Sequence, residues 1–184
     1  MKELSLNILD IVENSTKAKA TLVEVKVEEA SKILTITITD NGIGMTEDTL
    51  LSVSDPFYTT RTTRKVGMGI PLFKLAAEQT GGCLKIESRH VGDFPENHGT
   101  IVTATFNKEH IDFTPLGDTV STVVTLIQGH PTVDFLFTHE GENTDVHLDT
   151  RELRAVLEDV PLDNFEVLNW IRESLAEQYK QDLN

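Results

Sequence analysis

The 184-residue chain is 39% hydrophobic and carries a formal charge of −14 at neutral pH, which suits a soluble globular fold and disfavours phosphodiester backbones, since these are bound largely through Lys and Arg. It has no run of about 18 apolar residues to span a bilayer, and the opening "MKELSLNILDIVENS" lacks the basic start and apolar core of a signal peptide, so a cytoplasmic protein is expected. The single cysteine, Cys83, excludes an intrachain disulfide and is expected to be a small buried apolar residue, and the six histidines show no metal-ligating spacing.

From Leu4 to Ala18, apolar residues at Leu4, Ile8, Leu9, Ile11 and Val12 recur with helical spacing and leave Asp10 and Asn14 one turn apart on another face. "TLVEVKVEEA" and "SKILTITITD" alternate as strands of a hairpin, and the second strand runs into "TDNGIGMTED", where Asp-Asn-Gly is strong turn chemistry. A short helix and a mobile loop are expected over "TEDTLLSVSDPFYTTRTTRKVGMG". A helix over "IPLFKLAAEQTGG" follows, with Pro71 in its first turn and a glycine pair at its end. "CLKIESR" and "GTIVTATFN" alternate again, giving a sheet of at least four strands.

A shift in composition at "NKEHIDFTPLGD" marks an expected boundary, with one domain over residues 1–108 and a small α+β appendage over 109–184. Acidic residues outnumber basic ones by 14 to 11 up to Asn107 and by 16 to 5 beyond it. The appendage begins with a helix carrying Val120, Val123, Val124 and Ile127, with Asp118 as N-cap and Gly129 as its stop. "TVDFLFTHEGENTDVHLD" reads as a hairpin, and Asp149 with Glu152, then Asp163 with Glu166, announce two helices by capping-box spacing. Phe165, Leu168, Ile171 and Leu175 stripe the last helix, so this stripe and Trp170 are expected to be core or a docking surface.

The chain has no GxxxxGK[ST] loop, and neither "GIGMTE" nor "GMGIPL" supplies the third glycine of GxGxxG. Instead "LDIVENSTKAKA", "DNGIGM", "DPFYTTR", "KVGMGIPL" and "HGTIVTATF", in this order, resemble the N, G1, F and G2 boxes and the closing strand of the GHKL ATP-binding superfamily. The resemblance covers residues 4 to 107 and implies a two-layer α/β sandwich of the Bergerat type, within the α+β class, that binds ATP with Mg²⁺. It further implies that Asp40 accepts a hydrogen bond from the adenine amine and that Gly42 and Gly44 let the backbone pass close to the base and sugar. Thr100 closes the same polar network, and Asn14 holds Mg²⁺. Lys17, Arg64 and Lys65, with the neighbouring Arg61, face phosphates. Gly67, Met68 and Gly69 turn backbone amides toward them at a helix start.

Asp10 occupies the position where ATP-hydrolysing branches of the superfamily carry glutamate and histidine kinases often carry asparagine or histidine, so it is the candidate catalytic base, one methylene shorter. The expectation is a standalone kinase-like regulatory protein in signal transduction that transfers the γ-phosphoryl group to a separate protein, with slow ATP hydrolysis or non-catalytic ATP sensing as alternatives. The matching region begins at residue 4, whereas most relatives place a strand and helix before it, so one edge of the sheet is expected to need cover. The appended hairpin is favoured over a second copy, which leaves a monomer or a homodimer, and His139-Glu140 within that hairpin is read as a coincidental imitation of a phosphoacceptor dipeptide.

Overall fold

The computed structural model describes residues 3–54 and 69–181. Its elements are α1 (Leu4–Lys17), β1 (Leu22–Ala30), β2 (Ile33–Asp40), α2 (Glu47–Ser54), α3 (Gly69–Gln79), β3 (Cys83–Arg89), β4 (Gly99–Asn107), α4 (Thr119–Gly129), β5 (Asp134–Gly141), β6 (Thr144–Asp149), α5 (Thr150–Leu157) and α6 (Phe165–Gln181). The loop expected after the short second helix lies outside the described residues. No helix among the described residues is long and apolar enough to cross a membrane.

The strands form one sheet in the order β3-β4-β2-β1-β5-β6. β1 and β2 pair antiparallel from Val23↔Asp40 to Ala30↔Ile33, closed by Ser31 and Lys32 with Ser31 in the left-handed region at φ 52°. β4 lies antiparallel to both β2 and β3. On the other edge of β1, β5 pairs in parallel from Leu22↔Asp134 to Glu28↔Glu140, and β6 returns antiparallel to β5. The β5–β6 hairpin therefore covers the edge of β1 that β2 does not occupy.

Strand alternation turns one face of this sheet toward the helices: Val23, Val25 and Val27 of β1, Leu34, Ile36 and Ile38 of β2, and Val102, Ala104 and Phe106 of β4 are all buried. α1 packs against α3 on one side and α4 on the other, and α4 packs against α6, so the second layer is a row of helices α3-α1-α4-α6. The opposite face carries threonines and charges. Cys83 falls on it by the same parity, beside Lys85 and Glu87 on the outermost strand, and is exposed rather than buried.

Helix starts follow the expected chemistry with one displacement. Asp118 caps α4 by accepting from the Ser121 amide at 2.8 Å, and that bond together with the Ser121 side chain holds its carboxyl below the usual range. Asp149 caps α5 through the Arg151 amide at 2.9 Å. At α6, however, Asn164 and not Asp163 takes this role: its Oδ1 accepts from the Glu166 amide at 2.9 Å and its carbonyl from the Leu168 amide at 2.9 Å. Either side chain can cap, and the helix begins one residue later than the capping-box spacing implies. Val167, Leu168, Ile171 and Leu175 form the buried side of α6, while Phe165 and Trp170 stand exposed.

A chain of hydrogen bonds joins the appended elements to the distal end of β1. Lys108 donates to Glu29 at 2.7 Å, and the buried His139 sits between Glu29 at 3.1 Å and the Tyr179 hydroxyl at 2.9 Å. Because the carboxylate only accepts, His139 Nε2 donates to Glu29, while Thr119 stands 2.9 Å from the Tyr179 oxygen. Burial opposes ionisation of Glu29, but Lys108 and His139 outweigh it and hold the carboxyl below the ordinary glutamate range.

Removing residues 110–184 strips β5 from β1 and uncovers the faces of α1 and β1 that α4 and β5 bury. The fragment 1–109 is expected to associate with rising concentration in light scattering while the full chain does not. A fragment that stays monomeric and folded at all concentrations would contradict a structural requirement for the appended hairpin.

Candidate nucleotide site

Asp40 is the last residue of β2, paired with Val23 on one side and Thr100 on the other. Its carboxylate is held from three directions. Oδ2 accepts from the Ser15 hydroxyl of α1 at 2.7 Å. Oδ1 accepts from the Gly42 amide at 2.9 Å and from the Thr100 amide at 3.2 Å. A half-buried carboxylate so fixed has its remaining lone pairs aimed before any ligand arrives, which lowers the ordering cost of recognising a donor.

The turn after Asp40 is stitched on both flanks. Asn41 Oδ1 accepts from the Thr21 and Leu22 amides at 2.8 and 3.0 Å, the Ile43 amide donates to the Ala18 carbonyl at 2.9 Å, and His98 Nδ1 donates to the Gly42 carbonyl at 2.6 Å. The protein's own contacts already require the two glycines. A Cβ on Gly42 would lie 2.8 Å from the Ala18 carbonyl, and Gly44, at φ +67°, would drive one into the Arg89 carbonyl.

Thr100 reaches the network through a residue that sequence reasoning missed. The Ser88 hydroxyl lies 2.9 Å from Thr100 Oγ1 and 3.1 Å from the Gly99 carbonyl, and it accepts from the Met45 amide at 2.8 Å. Ser88 thus ties β3, β4 and the turn together. Ser15, 4% exposed, was missed as well. Both carried a readable signal: Ser88 shares the inward parity of Leu84 and Ile86, and Ser15 continues the buried stripe of Leu4, Ile8 and Ile11 on α1, so each puts a hydroxyl where the pattern demands an apolar side chain.

On α1, Asp10 is exposed and Asn14 half-buried, one turn apart. α3 begins against Asp10: a Cβ on Gly69 would come within 2.9 Å of Asp10 Cβ. Asn7, one turn before Asp10 on the same side, is 2% exposed, and its Nδ2 has no hydrogen-bond partner among the described residues. Lys17 is exposed in the last turn of α1. The structure therefore brings Asp10 and Gly69 together between α1 and α3, with Asn14 one turn further along α1, and Asp40, Gly42, Gly44 and Thr100 together at the strand ends joined to α1 by Ser15. Arg61, Arg64, Lys65, Gly67 and Met68 lie outside the described residues.

A two-layer sandwich with an aspartate-glycine turn at the open end of its central hairpin, beside a helix bearing Asp10 and Asn14, is the architecture of the GHKL class of ATP-binding domains. The chain matches the family described as histidine kinase-, DNA gyrase B- and HSP90-like ATPases over residues 2–110, and it belongs to that family, whose domains bind ATP. It is similar to the sensor protein KdpD of Clostridium acetobutylicum, with 34% identity over 92 residues, 46% of this chain and 10% of that protein. It is also similar to sporulation kinase E of Bacillus subtilis, with 32% identity over 102 residues, 55% of this chain and 13% of that one. The chain thus spans only a small part of the length of these curated relatives. Among solved structures, the Aquifex aeolicus MutL ATPase domain complexed with ADP shares the fold at a TM-score of 0.56 and 15% identity, over 94% of this chain and 88% of that one.

Ser88→Ala leaves the Met45 amide and the Thr100 hydroxyl without their shared partner. The expected cost is about 1–3 kcal/mol, read as a lower urea midpoint at unchanged slope. An unchanged midpoint would show that water replaces the hydroxyl and that Ser88 does not brace the turn.

Proposed function

We propose that the chain is a Mg²⁺-ATP-binding regulatory protein of the histidine kinase-like type, acting in cytoplasmic signal transduction by transferring the γ-phosphoryl group to a separate protein. In this reading residues 1–108 are the nucleotide-binding unit and residues 109–184 an appendage. The observation that carries it is the Asp40 carboxylate, fixed by Ser15, Gly42 and Thr100 with acceptor capacity to spare for an exocyclic amine. Support for phosphotransfer comes from the similarity to a sensor protein and a sporulation kinase.

Asp40 and Thr100 hold the adenine end. Asp10 accepts the proton of the attacking group or positions that group, standing exposed at the start of α3. Lys17, Arg64 and Lys65 neutralise phosphate charge, and the amides of Gly67, Met68 and Gly69 orient the phosphates. Asn14 offers a single neutral oxygen with no protein hydrogen bond among the described residues, which fits Mg²⁺, an ion that keeps several waters and shares phosphate oxygens. Bound there, the ion would offset negative charge on the transferring group. Slow ATP hydrolysis is the second reading, favoured by the contact of Gly69 with Asp10, which ties the position of α3 to the candidate base.

Incubation with γ-labelled ATP, with and without cell extract, separates the readings: labelled protein supports transfer, free phosphate supports hydrolysis, and neither leaves a nucleotide sensor. Asp40→Asn is expected to weaken Mg²⁺-ATP binding by about 1.5–3 kcal/mol in calorimetry, the range for a bond to a charged group. Unchanged affinity would remove Asp40 from the site. Asp10→Asn is expected to suppress turnover and spare affinity, whereas Asn14→Ala weakens the magnesium-dependent part of binding. Equal loss of both properties in both variants would point instead to a damaged α1.

A further inference from the structure

At the end of the helical row far from α3, a groove of about 690 Å³ opens between α5 and α6, lined by Leu153, Val156, Leu157 and Val160 on one side and by Val167 and Trp170 on the other. Val156 is 82% exposed, Trp170 53% and Val160 44%. These side chains form one contiguous apolar surface with a tryptophan at its edge, the composition of an interface centre rather than of scattered surface residues. Val167, Leu153 and Leu157 root this surface in the core, whereas Val156, Val160 and Trp170 stand outside it, and α6 already buries Leu168, Ile171 and Leu175 on its inward side.

The surround of this groove is acidic. Glu166 lines it, Glu173 lies one turn beyond Trp170 and Glu152 one turn before Val156, and Glu158, Asp159 and Asp163 crowd the connection between the helices, all of them exposed. None of these carboxylates forms an ion pair among the described residues. The neighbouring cations are held elsewhere: Arg151 by Asp149, Arg154 by Asp134 and Arg172 by the Ser121 hydroxyl. An apolar floor inside a ring of unpaired carboxylates complements a helix whose apolar stripe is flanked by Lys and Arg. A second copy of this chain fits poorly, since it would bring the same carboxylates against their counterparts on a molecule of net charge −14.

We propose that the α5–α6 groove is a docking site for a basic amphipathic helix of a partner protein. The site is separate from the nucleotide end and does not rest on the phosphotransfer reading. Trp170, the only tryptophan of the chain, is its built-in reporter. Full-length protein, without nucleotide, is titrated with a synthetic Leu/Lys peptide of about 18 residues whose leucines repeat at helical spacing. A Leu/Glu peptide of the same pattern and a scrambled Leu/Lys peptide are run beside it. Saturable binding of the patterned Leu/Lys peptide alone, with a blue shift of Trp170 emission, is the expected result. Val156→Lys, a substitution at an exposed position, is expected to weaken that binding about tenfold in calorimetry without changing the thermal melt. Glu166→Lys should weaken it too and flatten its salt dependence. No saturable binding, equal binding of the scrambled peptide, or indifference to both variants would overturn the proposal. So would a concentration-dependent blue shift without peptide, which would assign the groove to a second copy.

Discussion

The register of β1 between two unlike neighbours is the constraint on which the remaining structure depends. One edge is antiparallel to β2, which sets Asp40 opposite Val23, and the other is parallel to β5, which sets Phe135 and Phe137 beside Val23 and Val25. A one-residue slip on either edge would send a hydrophobic set to the wrong face, since side chains alternate with a period of two. Val23, Val25 and Val27 are essentially without exposure, so the penalty for such a slip is the loss of the central core. The two ends of β1 are then spoken for by polar groups. At its start, Asn41 accepts from the Leu22 amide, and near its end Glu29 takes Lys108 and His139.

The candidate site inherits its rigidity from that register. Asp40 ends β2 where β1 and β4 flank it, so its backbone has ladder partners on both sides while its carboxylate meets α1 through Ser15. An acceptor placed this way is set by the sheet and the helix together, and the turn that follows has only glycine-compatible paths past Ala18 and Arg89. The glycines of "DNGIGM" therefore serve packing first, and closeness to a base and sugar can only be an additional demand on the same atoms. On α1, buried Ser15 and half-buried Asn14 are neighbours in sequence, and one faces the strand end while the other belongs to the Asp10 side, so a rotation of this helix would disturb both halves of the site at once.

The local pattern in the sequence carried most of the fold. Strict alternation in "TLVEVKVEEA" and "SKILTITITD" located the central hairpin, and apolar spacing located α1, α3 and α4, because one-sided burial imposes those periods. Pairing between distant segments leaves no such mark. Nothing in "TVDFLFTHEG" shows that it lies parallel to β1, although the need to cover that edge pointed to it. Cys83 is exposed against expectation because a small apolar residue on an outer strand takes whichever face the alternation dictates. The site was legible where chemistry departs from pattern, at Asp40, Asp10 and Asn14, and illegible where a common residue has an uncommon job. Ser15 and Ser88 look ordinary until their inward phase is noticed, and the buried Asn7 amide shows the same departure. At α6 two adjacent residues can each accept from a helix amide, so spacing alone does not separate Asp163 from Asn164, and the structure caps the helix with Asn164.

The same topology resolves an apparent conflict between an acidic protein and an anionic ligand. Beyond Asn107 the chain carries 16 acidic against 5 basic residues, a surplus that near a triphosphate would oppose binding. The strand order sends β5, β6 and the helices that follow them to the edge opposite β3, and β6 stands three strand positions from β2, about 14 Å at the usual spacing. That separation exceeds the screening length of about 8 Å at physiological salt, so exposed carboxylates there act only weakly on charge held at the β2 and α1 end. Six of these carboxylates, Glu152, Glu158, Asp159, Asp163, Glu166 and Glu173, surround the α5–α6 groove, where they favour basic partners, and they stand electrostatically apart from the end of the sheet where Asp40 is fixed.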